Sequence, residues 1–232
     1  VTGFIDINPP YLNPRYKSTV LRAPRKRLIQ LPPEWFHRSP GPVFGRVAVR
    51  PGDNDLTTQH PGRPIGQFIT LSGRVLDSDG RGVPHTLVEI WQANGAGRYV
   101  DTADPGLMPL DPNFTGAGRT LTDSSGHYRF RTIKPAAYPG RFRGMFRPAH
   151  IHVSVFGPDL GSRIITQCYF EGDPLLPFDA IAQSVGDPRG LDRLTARLNW
   201  DDTELGDVDA ALAYDWDIVL RGREMTPREP LT

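Results

Sequence analysis

Two histidines one residue apart carry the plainest chemistry in this chain. They sit in Arg147-Pro148-Ala149-His150-Ile151-His152-Val153-Ser154-Val155, a stretch rich in β-branched residues whose alternation from His150 to Val155 predicts a strand. Residues i and i+2 of a strand point to one face, so His150 and His152 project side by side. Neutral imidazole is the commonest protein metal ligand, and two on one face can grip one ion from adjacent corners. The plainer alternative is a pair of ordinary, hydrogen-bonded strand histidines.

A catalytic ion needs more than two ligands, and the usual additions are a carboxylate or a cysteine. No acidic residue precedes the pair within ten positions, the first after it is Asp159, and the sole cysteine, Cys168, belongs to another predicted strand. The neighbours with donor chemistry are tyrosines: Tyr138, twelve residues before His150, and Tyr99. A phenolate is a hard anion, and a highly charged ion stabilises it far below the free pKa of about 10. Two phenolates with two imidazoles favour ferric over ferrous iron. On spacing alone, both tyrosines can equally be core aromatics.

The elements that must hold these residues read as β. Phe68–Leu76 and Leu87–Gln92 alternate like strands, with the turn Asp77-Ser78-Asp79-Gly80-Arg81-Gly82 between them. Thr120–Thr122 and Tyr128–Thr132 flank Asp123-Ser124-Ser125-Gly126 as a hairpin, and His150–Phe156 and Ile164–Tyr169 follow. Short strands at this spacing predict a mostly β fold, an antiparallel β-sandwich core with a few short helices. The connection from Ala93 to Gly118 is long for a structureless loop, which marks it as functional. Leu191, Leu194 and Leu198 fall at helical spacing, and Tyr214–Leu220 reads as a closing strand. Residues 1–65 hold 11 of the 24 prolines and so read as a mainly extended arm. Its Phe4, Tyr11, Trp35 and Phe44 need burial against its own domain or another subunit. Residues 66–232 form the sandwich domain. Arg15, Lys17, Arg22, Arg25, Lys26 and Arg27 make a basic cluster in the arm, either a solvated patch or a guide for an anionic ligand.

Charge is nearly balanced, 27 Lys+Arg against 26 Asp+Glu, which gives no general argument for nucleic acid or membrane as a partner. One cysteine allows no internal disulfide and suits a reducing compartment, with Cys168 as a buried thiol on a strand. No run of about 18 apolar residues is present. The start, Val1-Thr2-Gly3-Phe4, lacks a signal-peptide pattern, and the missing Met is expected to reflect a trimmed terminus.

Several segments together resemble the intradiol ring-cleaving dioxygenases: Val88–Asn94, Gly97-Arg98-Tyr99, Leu110–Phe114, Thr122–Gly126, Thr132–Pro135 through Tyr138-Pro139, Arg147–His152 and Tyr169–Pro174. The resemblance runs from about Tyr16 to Arg221 and, within the family, is to the β subunits of protocatechuate 3,4-dioxygenases. It implies a cytoplasmic oxidoreductase that opens protocatechuate with dioxygen to 3-carboxy-cis,cis-muconate, using one non-haem Fe(III) per chain. The ligands it implies are Tyr99, Tyr138, His150 and His152, with Tyr138 displaced as substrate binds. Arg147 matches an arginine that stabilises negative charge on the ring, and Gln167 a polar residue on the oxygen side. Trp91 and Ile181 match pocket walls, while Tyr16 and Arg22 match arm residues at the substrate entrance. Trp91, Ile181 and Arg22 each have a purely structural reading as well. The resemblance also implies a homologous α subunit, paired as αβ protomers in a larger oligomer.

One departure stands out. Many of the protocatechuate enzymes carry a tryptophan after Tyr-Pro, whereas here Tyr138-Pro139 runs into Gly140-Arg141-Phe142-Arg143, one residue shorter and without the indole. That admits other catechols: 4-sulfocatechol, catechol itself or hydroxyquinol. The alternative of another class is a non-enzymatic transthyretin-like binding module. It would share the pattern of Gly73–Glu89 and Asp123–Phe130 but has no use for the four donors together.

Overall fold

Alternating sequence becomes strand here wherever one face can be buried and the other paired with a neighbour. The coordinates, a computed structural model, describe residues 15, 48–101, 106–140, 145–156, 163–206 and 210–229. Every described element belongs to the second of two units, Val1–Pro40 and Gly41–Thr232. The strands are β1 (Phe68–Leu76), β2 (Leu87–Gln92), β3 (Ala117–Leu121), β4 (His127–Ile133), β5 (Tyr138–Pro139), β6 (Phe146–Arg147), β7 (His150–Phe156), β8 (Arg163–Phe170), β9 (Thr195–Leu205), β10 (Ala210–Asp215) and β11 (Ile218–Val219). A 3-10 turn (Leu176–Phe178) and two short helices, α1 (Ala180–Gln183) and α2 (Pro188–Arg193), lie between β8 and β9.

The strands follow one path, β11-β1-β10-β9-β8-β7-β2-β3, with β4 also on β1 and β5–β6 as a separate ribbon. The path narrows between β8 and β9, where only Tyr169↔Thr195 and Phe170↔Ala196 pair. This leaves two layers, β4-β1-β10-β9 and β3-β2-β7-β8. Their facing sides share one core: Ile69 and Leu71 of β1, Phe130 of β4, Val88 and Ile90 of β2, Ile151, Val153 and Val155 of β7, and Ile164, Cys168 and Phe170 of β8. Burying each such aliphatic side chain is worth about 1.5–3 kcal/mol. The mostly β, sandwich-like expectation holds, and Cys168 is buried.

Four details differ from the sequence reading. Three pairings are parallel, β1 with β10, β1 with β11 and β8 with β9, because strands far apart in the chain return beside one another by crossovers rather than hairpins. Leu198 is not helical: α2 takes Asp187 as its N-cap and Pro188 in its first turn, ends at Leu194, and the chain enters β9 at Thr195. The stretch expected as one closing strand divides into β10 and β11 at Trp216-Asp217. The Asp217 carboxylate there accepts from both the backbone and the guanidinium of Arg74. The ribbon β5–β6 was not expected at all.

What positions the site is the opposite side of β7. With Ile151, Val153 and Val155 committed to the core, His150, His152 and Ser154 fall on the outer face. There they join Glu89 and Trp91 of β2 and Gln167 and Tyr169 of β8 through the register pairs Trp91↔His152, His152↔Gln167 and His150↔Tyr169.

Candidate metal centre

The two imidazoles are held from behind. His150 Nδ1 lies 2.8 Å from the Pro148 carbonyl oxygen. A carbonyl can only accept, so Nδ1 carries the proton and the Nε2 lone pair faces outward. His152 Nδ1 lies 3.4 Å from Glu229 Oε2, and the same logic leaves the lone pair on its Nε2. Trp91 stacks on His152 with ring centroids 5.0 Å apart and planes 8° from parallel, which fixes the ring's rotation. Burial first, then the neighbouring His152 and Arg147, pushes the His150 pKa well below its ordinary value, so this ring is in the neutral form that binds metals.

The phenols arrive on two loops locked together. The Asn94 side chain accepts from the amides of Ala96 and Arg98, both at 2.9 Å, and donates to the Pro109 carbonyl at 3.0 Å. The turn it shapes passes through Gly97 at φ +81°, where a Cβ would lie 2.8 Å from the Ala137 oxygen and 3.0 Å from the Tyr138 Cβ. Only glycine satisfies both the left-handed backbone and the close approach. The Ala136 amide donates to the Asn94 carbonyl at 3.1 Å, so Tyr99 and Tyr138 are set by one assembly. Tyr138 then enters β5, paired with Arg147 of β6.

The four side chains converge. Tyr99 and Tyr138 hydroxyl oxygens are 3.5 Å apart, and Tyr138 Oη lies 3.2 Å from His150 Nε2. The His150 and His152 rings are 5.0 Å apart, and those of Tyr99 and His152 6.2 Å. Ligands each about 2.0–2.2 Å from one ion sit about 3–3.5 Å from each other, and the two donor-atom separations, 3.5 Å between the phenol oxygens and 3.2 Å from Tyr138 to His150, fit a shared ion. Among the described residues no three His, Cys, Asp or Glu side chains are placed to hold a metal; the donors beside the two imidazoles are phenol oxygens. Burial, then the Tyr138 oxygen beside it, raises the Tyr99 pKa well above its ordinary value. Ionising this phenol therefore needs a cation in contact with it, and two adjacent imidazole nitrogens complete a donor set suited to one.

Beside the cluster a buried guanidinium is clamped. Arg147 Nη2 donates to Gln167 Oε1 at 2.6 Å, to Asp179 Oδ2 at 2.9 Å and to the Tyr169 hydroxyl at 3.2 Å. Burial opposes its charge, yet the Asp179 hydrogen bond and the nearby Tyr138 and Tyr169 oxygens raise its pKa further above its ordinary value. Burial and then Asp179 push the Tyr169 phenol up as well, so Tyr169 keeps its proton.

A family profile described as "Dioxygenase" matches residues 40–222, and one described as "Protocatechuate 3,4-dioxygenase beta subunit N terminal" matches residues 7–34. The protocatechuate 3,4-dioxygenase beta chain of Burkholderia cepacia is 50% identical over 226 residues, covering 96% of this chain and 94% of that one. The chain belongs to the intradiol ring-cleaving dioxygenases.

This dioxygenase is also 27% identical over 208 residues to the protocatechuate 3,4-dioxygenase alpha chain of Pseudomonas putida, covering 85% of this chain and 96% of that one. The solved dioxygenase domain of a carbohydrate-binding protein fusion from Streptomyces sp. SirexAA-E shares its fold, with a TM-score of 0.50 and 26% identity over 79% of this chain and 97% of that one. Membership of the family leaves the binding-module alternative without support. No helix among the described residues is long and apolar enough to cross a membrane.

Of the residues singled out in the dioxygenase sequence, Tyr99, Tyr138, His150, His152, Arg147, Gln167 and Trp91 come together in one place. Ile181 lies half-buried on α1 and meets this group through its amide, which donates to Asp179 Oδ1 at 3.3 Å. Tyr16 and Arg22 lie outside the described residues, as do Arg141 and Arg143. Three members were missed. Tyr169 had a signal, since it stands at i+2 from Gln167 on β8. Asp179 had a weaker one, as the N-cap of α1. Glu229, 77 residues beyond His152, had none.

Proposed function

We propose that the chain holds one ferric ion on Tyr99, Tyr138, His150 and His152, and cleaves protocatechuate between its two hydroxylated carbons with dioxygen to give 3-carboxy-cis,cis-muconate. The observation that carries this reading is the gathering of two phenol oxygens and two imidazoles around one point, next to a buried arginine whose charge is held by Asp179. When bound, a ferric ion supplies Lewis acidity that ionises the catechol hydroxyls and draws electron density from the ring, which opens a closed-shell substrate to triplet dioxygen.

The protein's own groups do the rest. Tyr138, half-buried on the two-residue strand β5, would be a phenolate while it holds the ion, and on release its Oη would take up one catechol hydroxyl proton, so that part of the charge arriving with the substrate is neutralised inside the site. Arg147 cannot lose its proton and supplies positive charge where the ring becomes negative. Asp179, Gln167 and Tyr169 hold that guanidinium in one orientation before substrate arrives, which spares reorganisation during reaction. Trp91 keeps His152 in register with the cluster. Tyr16 and Arg22 of the arm are assigned to the substrate entrance, and Ile181 to the pocket wall. The similarity to both alpha and beta chains of protocatechuate 3,4-dioxygenases supports a homologous α partner in αβ protomers of a larger oligomer. The lone buried thiol suits the cytoplasm.

A second reading concerns the ring substituent. Gly140 puts no ring beside Arg147; a Cβ there would stand in ordinary contact with the Met145 oxygen at 3.4 Å, Met145 Cε at 3.5 Å and Arg147 Cγ at 3.6 Å. A sulfonate, as in 4-sulfocatechol, is the substituent that the missing indole would favour. Oxygen uptake against protocatechuate, 4-sulfocatechol, catechol and hydroxyquinol, with ultraviolet identification of the product, tests both readings. Highest kcat/KM is expected for protocatechuate, in an iron-replete, red-brown protein. A colourless protein inert towards all four would end the assignment, and a preference for 4-sulfocatechol would move it to the second reading.

A further inference from the structure

The last described residues return to the donor cluster. After β11 the chain is tied to it in both directions: the Thr226 amide donates to the Val219 carbonyl at 3.0 Å, and the Val219 amide to Thr226 Oγ1 at 2.9 Å. Pro227 then offers its carbonyl to Thr166 Oγ1 at 2.7 Å, and the Glu229 amide donates to the Ile165 carbonyl at 2.8 Å. This segment is thus strapped to β11 and then to β8, with Thr226 wholly buried. The strapping brings the Glu229 carboxylate behind the site, where Oε1 accepts from Gln167 Nε2 at 2.6 Å and Oε2 faces His152 Nδ1 at 3.4 Å.

We propose that Glu229 is a positioning residue of the metal centre, which fixes His152 in the form that ligates through Nε2 and fixes which end of the Gln167 amide faces Arg147. The proposal rests on reading the four-donor cluster as an iron site. A carboxylate only accepts hydrogen bonds and a guanidinium only donates them. Gln167 stands between one of each. Its NH2 must therefore face Glu229, and its oxygen must face Arg147 and the Tyr169 hydroxyl, at 2.6 and 2.7 Å. On the other side, the same carboxylate holds the proton of His152 on Nδ1. One acceptor-only group thus orients a metal ligand and, through Gln167, the arginine beside the metal. Replacing Glu229 by glutamine keeps the shape but supplies one acceptor and one donor. Glutamine can satisfy Gln167 or His152 and not both, so either the amide flips away from Arg147 or the imidazole loses its Nδ1 acceptor. Partners at this remove from a metal typically change affinity or activity 10–100-fold on mutation, roughly.

The test uses the full chain with any α partner it requires, as wild type, Glu229→Gln and Glu229→Ala, each loaded with ferric iron. Three quantities are read: the rate at which a chelator strips the iron, the position of the visible phenolate-to-iron absorption, and the unfolding midpoint of the iron-free protein. Iron release is expected to be about 10–100-fold faster in both variants, with a displaced absorption band. The iron-free midpoint of Glu229→Gln should stay close to that of wild type, which separates positioning from a general loss of structure. Wild-type protein that holds iron while both variants hold it equally long, with the same band, overturns the role of Glu229 alone. Wild-type protein that takes up no iron overturns the metal reading, and this assignment with it.

Discussion

On the outer face of the β3-β2-β7-β8 layer, Arg147 meets Asp179 with side-chain exposures of 7% and 0%. On the outer face of the β4-β1-β10-β9 layer, Arg129 meets Glu204 with exposures of 60% and 48%. The ionic chemistry is the same and the surroundings are opposite. In water such a pair gains little, because each charge is already solvated and two flexible side chains must be held still. Away from water the desolvation penalty is several kcal/mol per ion, and only good geometry with further hydrogen bonds offsets it. The Arg147 group has those further bonds, to Gln167 and Tyr169. Glu89 and Arg119 are buried on this face as well, so burial of charge alone does not mark a site. What sets the Arg147 pair apart is its place: Tyr169, which shares its hydrogen bonds, packs against His150 of the donor cluster.

The sharpest way to break this contrast is to remove Asp179. Asp179→Ala leaves the Arg147 guanidinium without its carboxylate in a closed site and also strips α1 of its N-cap. A loss of about 3–5 kcal/mol is expected in urea unfolding, together with a steep fall in kcat for ring cleavage. Asp179→Asn, which keeps the shape and a cap, should recover part of the stability and less of the activity. If Asp179→Ala unfolded within about 1 kcal/mol of wild type, a scale set by exposed pairs, the two faces would not differ as argued.

An intermediate case tests whether the effect is graded by exposure. Arg119 of β3 meets Asp53 at 2.9 Å, with side-chain exposures of 8% and 27%. Asp53→Ala is expected to destabilise by about 1.5–3 kcal/mol at neutral pH, the usual range for hydrogen bonds to charged groups. The pH dependence has a definite sign. The Arg50 amide first, then the Arg119 side chain, holds the Asp53 carboxyl below its ordinary value. A group whose folded pKa is depressed contributes fully above its unfolded pKa, about 3.9, and loses that contribution as pH falls through the folded value. Wild type and Asp53→Ala should therefore differ most above roughly pH 5 and converge in stronger acid. A gap that widened on acidification would contradict the pairing.

The same contrast shows what could be read in the sequence. β1, β2 and β7 were legible to the residue because alternation over a few positions is a local signal, and the i, i+2 histidines came with it. β9 was not, because among Thr195–Leu205 only Ala196 is buried, so the strand carries almost no apolar alternation to read. The helical spacing of Leu191, Leu194 and Leu198 then spanned two different elements by coincidence. In the site, Tyr99 and Tyr138 could be named from donor chemistry but told from core aromatics only through resemblance to a family, since no spacing rule links two tyrosines 39 residues apart. Asp179 was legible only as a helix cap and Glu229 not at all: their roles in the site exist only after β6, β7 and β8 are side by side, 32 and 77 residues away from their partners.

The smallest effect is expected where the ion pairs look most numerous. Glu204 of β9 accepts from Arg129 at 3.2 Å and lies 3.3 Å from Arg131, both on β4, and all three side chains are more than two-fifths exposed. Glu204→Ala removes both contacts at once. Each is screened by water and salt, and losing them frees two arginine side chains to move, which offsets part of the lost attraction. Stability should change by no more than about 1 kcal/mol. That difference should shrink further in 1 M salt, where the screening length falls to about 3 Å. Ring-cleavage activity should be unchanged, because nothing ties this trio to the cluster on the opposite layer. A loss above about 2 kcal/mol, or one indifferent to salt, would mean that exposure is the wrong axis for ranking these pairs, and the inference from burial to function would have to rest on the donor geometry alone.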